Sequence, residues 1–195
     1  MASAVHVQRY AQVVALSYPD PPLTDGVALL RPWVMGDLPC VEEASRDPYI
    51  PEWTTVPSLY TEPEGRAWIE RQWGRAANGE GLAFAITDAA SGEALGGVFL
   101  ILRPQPGVVG IGYWLIEPAR GRRLASRAVN LLAPWALREA GLARVEALVE
   151  PDNVASQRVL ERAAFQREGY LRAYLSYASR RVDVVIYSLL QTDLS

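Results

Sequence analysis

A chain of 195 residues, 50% of them hydrophobic, can bury a sizeable core, and one folded domain is expected. Its net charge of −3 argues against a general nucleic-acid or membrane-surface binder, and no apolar run approaches the roughly 20 residues needed to span a bilayer. One cysteine (Cys40) and one histidine (His6) exclude a disulfide framework and an ordinary zinc site built within the chain; with no secretion signal in MASAVHVQRY, a cytoplasmic protein without a metal is expected.

Residues 1–26 read as an extension ending in the breaker-rich linker SYPDPPLTDG, which puts the domain proper at 27–195. VALLRPW (27–33) reads as a strand, and Asp37 then starts a short helix that tolerates Pro39 in its first turn. The proline-punctuated, aromatic stretch 47–65 reads as an ordered loop. Thr61 and Glu64 form a capping-box pattern ahead of a helix carrying Trp68, Ile69, Gln72 and Trp73. Strand-like runs follow at 82–88, 94–103 and 108–116, the first two joined as a hairpin through AASGE.

From Arg122 to Gly141, apolar residues recur at helical spacing, with Pro134 expected to bend the helix. ARVEALVE (143–150) reads as a strand and PDNVASQRVLERAAF (151–165) as a capped helix. Two strands near 166–175 and 182–190 close the chain. Strands with helices between them predict an α/β or α+β sheet protein.

The junction EPARGRRLASRA (117–128) concentrates Arg120, Arg122, Arg123 and Arg127 around Gly121 at the start of a helix. The unpaired N–H groups of a first helical turn and the helix dipole favour an anion there, and guanidinium groups suit phosphate oxygens. A solvated helix start with arginines facing water is the equal alternative on spacing alone. The G-x-G-x-x-G and G-K-S/T patterns are absent, which excludes those two nucleotide-binding folds.

The order of parts from about 27 to 190 resembles the GNAT superfamily of acetyl-CoA-dependent N-acetyltransferases. YWLIEPARGRRLASRAV is similar to its pyrophosphate-binding segment, R/Q-x-x-G-x-G/A, and PDNVASQRVLERAAF with QREGYLR is similar to its next segment. LRPW and the closing RRVDVVIYSLL resemble the branch that contains the ribosomal-protein N-terminal (Rim-type) enzymes. Arg120 takes the R/Q position and Ala125 the final small one, whereas Arg123 replaces the central glycine and Ala164 the glycine before Phe165. With helix pattern from Arg122 onward, position 123 is expected to be helical rather than left-handed.

The resemblance implies a mixed, mostly antiparallel sheet splayed at its middle strands, with helices on both faces. It also implies acetyl-CoA as co-substrate and attack by a primary amine, from a protein N-terminus or a small molecule, in a ternary complex. Backbone groups of Trp114, Leu115 and Ile116 would lie along the pantetheine arm. Arg120, Gly121, Arg122, Arg123, Leu124, Ala125 and Ser126 would hold the pyrophosphate, and Asn153 would contact the arm. The family's usual tyrosine acid falls on Leu160, which cannot donate; the Rim-type branch carries a serine at Ser156.

Capping is the competing role for Asn153 and Ser156. For a general base, Gly110 stands where related chains often have Glu. Glu146 is the candidate, although alternation leaves its face undecided, and solvated charge is the alternative for Glu146 and Glu150. Tyr49, Glu52, Trp53 and Tyr60 could receive the acceptor or simply pack the loop. No nucleic-acid or membrane partner is expected. A non-catalytic acyl-CoA-binding module and a homodimer both stay open.

Overall fold

In the computed structural model, which describes residues 16–177 and 180–194, local sequence signals set most element ends. Strands β1 (Leu23–Thr24) and β2 (Ala28–Pro32) lead into helices α1 (Leu38–Arg46), α2 (Ile50–Trp53) and α3 (Glu62–Ala77). Then come β3 (Gly81–Asp88), β4 (Ala94–Leu102), β5 (Val108–Leu115) and α4 (Leu124–Arg138). The chain ends through β6 (Arg144–Val149), α5 (Val154–Arg162), β7 (Gln166–Tyr177) and β8 (Arg180–Leu190). The Thr61 hydroxyl accepts the Glu64 N–H at 3.3 Å to start α3, and the Asn153 side chain accepts the Ser156 N–H at 3.0 Å to start α5.

The strands form one eight-stranded sheet in the order β1-β2-β3-β4-β5-β6-β8-β7. Every neighbouring pair is antiparallel except β5–β6, so the mixed, mostly antiparallel sheet is as expected. On one face Trp33, Trp68 and Trp114 pack together: Trp68 meets Trp33 edge-on at 4.9 Å, and Trp33 stacks on Trp114 at 5.8 Å. On the other, α4 buries Leu124, Val129, Leu132 and Ala136, and its Trp135 meets Phe84 of β3 edge-on at 6.5 Å.

The parallel pair is the irregular one. β5 and β6 are in register only at Val108–Arg144, Val109–Val145 and Gly110–Glu146. β5 stays paired with β4 as far as Leu115, and β6 stays paired with β8 as far as Val149. Each strand thus keeps one partner and loses the other. From Ile111 and Ala147 onward their facing edges diverge with unmatched backbone donors and acceptors.

Asp37 stands at the start of α1 as expected, with Pro39 in the first turn; its buried carboxylate accepts both guanidinium nitrogens of Arg31 at 2.8 Å and the Val34 N–H at 2.9 Å. Two local readings change. The loop 47–65 contains α2, for which Asp47 Oδ1 accepts the Tyr49 and Ile50 N–H groups at 2.8 and 3.0 Å. The linker does not separate an extension from the domain. β1 pairs with β2, Leu16 is buried, and Tyr18 packs edge-on against Phe84 at 5.0 Å while donating to the Ala83 carbonyl at 3.0 Å. Residues 1–15, with His6, lie outside the described residues. α4 runs on through Pro134, where the ring leaves the carbonyl of Asn130, an exposed residue, without its helical donor.

The remaining change is at Arg123, which is left-handed (φ 60°, ψ 15°) immediately before α4 and not helical as expected. Ala164 is left-handed too (φ 60°). Both stand where the resembled segments carry glycine, and a Cβ in that conformation costs about 1–2 kcal/mol. Glycine gives back about 0.4–1 kcal/mol through a more disordered unfolded chain. Arg123→Gly and Ala164→Gly should therefore each stabilise the fold by about 0.5–1 kcal/mol, read as a raised midpoint in urea with unchanged slope.

Candidate active site

Between the diverging edges lies a cavity of about 410 Å³. Its floor is β5 from Ile111 to Trp114 and β6 from Ala147 to Val149, with Glu150 just beyond; Asn153 and Ser156 of the α5 start border it, and Tyr49, Trp53, Thr54 and Thr55 come from the α2 region. Trp68 and Arg75 of α3 and Phe99 and Ile101 of β4 complete one flank.

The polar groups of this cavity form two clusters. In the first, the Tyr113 and Ser156 hydroxyls meet at 2.7 Å, and the Tyr113 hydroxyl also lies 3.2 Å from the Ser156 carbonyl, to which it can donate. Burial pushes the Tyr113 hydroxyl up to about 12, so it is protonated at neutral pH. The Ser156 hydroxyl does not cap α5, because Asn153 does; it is committed to Tyr113. Leu160, one turn on, is fully buried.

In the second cluster the Tyr49 hydroxyl donates to Glu150 Oε2 at 2.9 Å and receives Asn153 Nδ2 at 3.2 Å. Burial, and then the Glu150 carboxylate, push Tyr49 up to about 12. Asn153 therefore caps α5 and reaches the cavity at once.

Glu146 shares a sheet face with its register partner Gly110, but it does not line the cavity. Its carboxylate is held by Arg103 at 3.1 Å and Arg144 at 3.4 Å. A Cβ at Gly110 would lie 2.4 Å from an Arg103 nitrogen, so the guanidinium occupies the space a glutamate there would need. The acidic residue that faces the cavity is Glu150, which sequence alternation does not single out.

Of the aromatic loop, Tyr49 and Trp53 line the cavity; Glu52 pairs with Arg180 at 2.7 Å, and Tyr60 packs over Gly65. The Arg180 guanidinium lies 5.8 Å from the Trp53 ring, tying α2 to β8. Among the described residues the buried Trp114 indole N–H has no acceptor, a deficit of about 1–3 kcal/mol. Cys40 is buried, and desolvation followed by the Asp37 charge raises its thiol, so it is no thiolate.

Beside the cavity, the arginine junction is more neutral than its sequence. Arg120 pairs with Asp47 and donates to the Leu115 carbonyl at 3.2 Å. Burial pulls Asp47 upward, but Arg120 and the Tyr49 and Ile50 amides together hold its carboxyl below the usual range. Arg122 pairs with Asp88 at 3.2 Å and Arg127 with Asp25 at 2.6 Å. Among the described residues only Arg123 of these four has no carboxylate partner. Since no side chain caps α4, the first-turn amides of Leu124, Ala125 and Ser126 stay open beside Gly121, which turns the chain at φ 77°.

Of the three residues expected along a bound arm, Trp114 lines the cavity, but the Leu115 carbonyl already receives Arg120. The Ile116 N–H is taken by the Leu95 carbonyl at 3.1 Å, so Ile116 cannot supply a free donor. Among the described residues no His, Cys, Asp and Glu group could hold a metal ion, and no helix is long and apolar enough to cross a membrane.

With this geometry in place, comparison with known proteins is specific. Residues 28–166 match the family described as Acetyltransferase (GNAT) domain. "Uncharacterized N-acetyltransferase p20" of Bacillus licheniformis is 30% identical over 148 residues, 75% of this chain and 83% of its own. "Probable N-acetyltransferase YjcK" of Bacillus subtilis is 32% identical over 136 residues, 69% of this chain and 75% of its own. Mycobacterium smegmatis RimJ, solved with CoA-disulfide, shares the fold with a TM-score of 0.76 at 24% identity over 89% of this chain and 87% of its own. The family match spans most of the chain and contains the splayed strands and the α4 junction; the protein belongs to the GNAT family of acetyltransferases.

Proposed function

We propose that the protein transfers the acetyl group of acetyl-CoA to a primary amine by direct attack in a ternary complex in the cytoplasm. The observation that carries this reading is the cavity between the unpaired edges of β5 and β6, with a hydroxyl pair on one side and a carboxylate on the other. The chain fits the co-substrate: the open α4 amides and Arg123 suit a pyrophosphate, and free strand edges suit an amide-bearing arm. Acetyl-CoA supplies an acetyl group already activated as a thioester. RimJ, with its bound CoA-disulfide, supports the same use of the fold, and a second solved structure, described as "RimL- Ribosomal L7/L12 alpha-N-protein acetyltransferase", supports a protein N-terminus beside small-molecule amines as acceptor.

The residues divide the work. Glu150, oriented by Tyr49, receives the amine and takes the proton that must leave before nitrogen can attack. This role passes to it from Glu146, whose carboxylate Arg103 and Arg144 occupy. The Ser156 hydroxyl, hydrogen-bonded to the protonated Tyr113, donates to the departing sulfur, and the second proton, which the nitrogen sheds after attack, returns through solvent to the hydroxyl pair, so that amine and thioester become amide and thiol.

Calorimetric titration should show acetyl-CoA binding that weakens as salt rises. Arg123→Gln should weaken it about tenfold, some 1.4 kcal/mol, and flatten the salt dependence. Arg120→Gln, whose charge Asp47 already balances, should cost less. No binding at millimolar acetyl-CoA would refute the reading.

Turnover tests the hydroxyl pair. Ser156→Ala should lower kcat by roughly tenfold to a hundredfold at nearly constant acetyl-CoA affinity. Because the hydroxyl is not a cap, unfolding in urea should show little loss of helix-start stability. Tyr113→Phe should fall in the same range, and the double variant should be no slower than the worse single one, since the two act as one donor. Full turnover in folded Ser156→Ala would leave protonation of the sulfur to water.

A further inference from the structure

The cavity holds one cation and one anion that do not pair. Among the described residues Arg75 is the one basic residue that lines it and Glu150 the one acidic residue, and no ion pair joins them. Among the described residues Arg75 has no carboxylate partner at all, although most arginines around the cavity do. Its guanidinium is nevertheless aimed. Nε donates to Gln72 Oε1 at 2.9 Å, and the buried Gln72 is itself fixed by donating Nε2 to the Trp68 carbonyl at 2.8 Å. With Nε held by Gln72, the two terminal nitrogens are a fork without a partner among the described residues.

Resting on the acetyltransferase reading above, we propose that the acceptor is an amine that also bears a carboxylate, which Arg75 binds. Glu150 takes the amine end of the same molecule. A planar fork matches a carboxylate in two parallel hydrogen bonds. One cation balances one negative charge, whereas a phosphate dianion would leave the cavity with uncompensated charge. The carboxylate could be the α-carboxylate of a free amino acid or an acidic side chain following a peptide N-terminus.

Two matched pairs of acceptors separate these sources: glycine against glycinamide, and glycyl-aspartyl amide against glycyl-asparaginyl amide. Thiol release from acetyl-CoA is followed for each, with acetyl-CoA binding measured separately. In at least one pair the carboxylate member should have a kcat/KM at least about tenfold above its neutral partner, equivalent to about 1.4 kcal/mol. Arg75→Gln should bring that ratio close to one, and Arg75→Lys should restore part of it. Equal turnover within both pairs, or a preference that survives in Arg75→Gln, would overturn the assignment while leaving the acetyltransferase reading intact. If acetyl-CoA binds and no thiol is released from any acceptor, that reading fails instead. Titration of the same four probes into the CoA-bound protein then decides the role of Arg75: tighter carboxylate binding lost in Arg75→Gln upholds it, and equal binding overturns it.

Discussion

Three residue pairs of parallel ladder, Val108–Arg144 through Gly110–Glu146, hold β5 to β6, and the ladder then stops. Continuing it would satisfy the backbone groups of both strands, so leaving it open costs hydrogen bonds unless another partner supplies them. Two full antiparallel ladders, to β4 and to β8, make the opening stable, because each strand is anchored on its far side. Every residue given a chemical role above stands on this wedge or at its rim. A fourth or fifth pair would close the cavity and bring Trp114 and Glu150 out of reach of any ligand.

The charge pattern follows the same economy. A chain rich in arginine but acidic overall places carboxylates opposite guanidinium groups that serve structure: Asp37 on Arg31, Asp47 on Arg120, Asp88 on Arg122, Asp25 on Arg127. The pairs on Arg120, Arg122 and Arg127 have exposed guanidinium groups and are individually weak, but they tie segments distant in sequence to the junction. Two arginines beside the cavity and junction escape this matching. Arg123 sits on a left-handed residue ahead of open amides, and Arg75 is steered by a buried amide rather than neutralised by an acid. A guanidinium held in place without a counter-charge is set for an anion from outside.

How far the sequence reveals this depends on the range of the signal. Apolar spacing and local caps are properties of neighbouring residues, so α3, α4, α5 and the strand order of the hairpins were legible from Thr61, Asn153 and alternation. Backbone sign at Arg123 was not: helix pattern from Arg122 onward is the same whether the residue before Leu124 is helical or left-handed. Tyr113 and Ser156 are 43 residues apart and meet only because β5 and α5 border one opening. Glu146 and Glu150 lie on one short stretch, and their different surroundings are decided by Arg103, just past the end of β4, which fills the space over Gly110. The linker 17–26 reads as breaker-rich because its prolines and glycine shape a turn, yet Leu16 just before it is buried and Tyr18 within it packs on Phe84.

An opening without a ladder needs other braces, and the structure shows what they are. Tyr113 ties β5 to α5 across the gap, Tyr49 ties the α2 region to the end of β6 and to Asn153, and Arg120 ties the α4 junction to Asp47. On the far rim, Arg180 joins β8 to Glu52 and Trp53. These contacts run between side chains rather than backbones, so they fix the width of the wedge while leaving its strand edges free. Tyr113, Tyr49 and Asn153 are also the groups that orient the reacting atoms in the proposed chemistry. Stability and catalysis therefore draw on the same residues here. A change that loosens the brace also misplaces the donor, and the two effects separate only when folding and turnover are measured on the same protein.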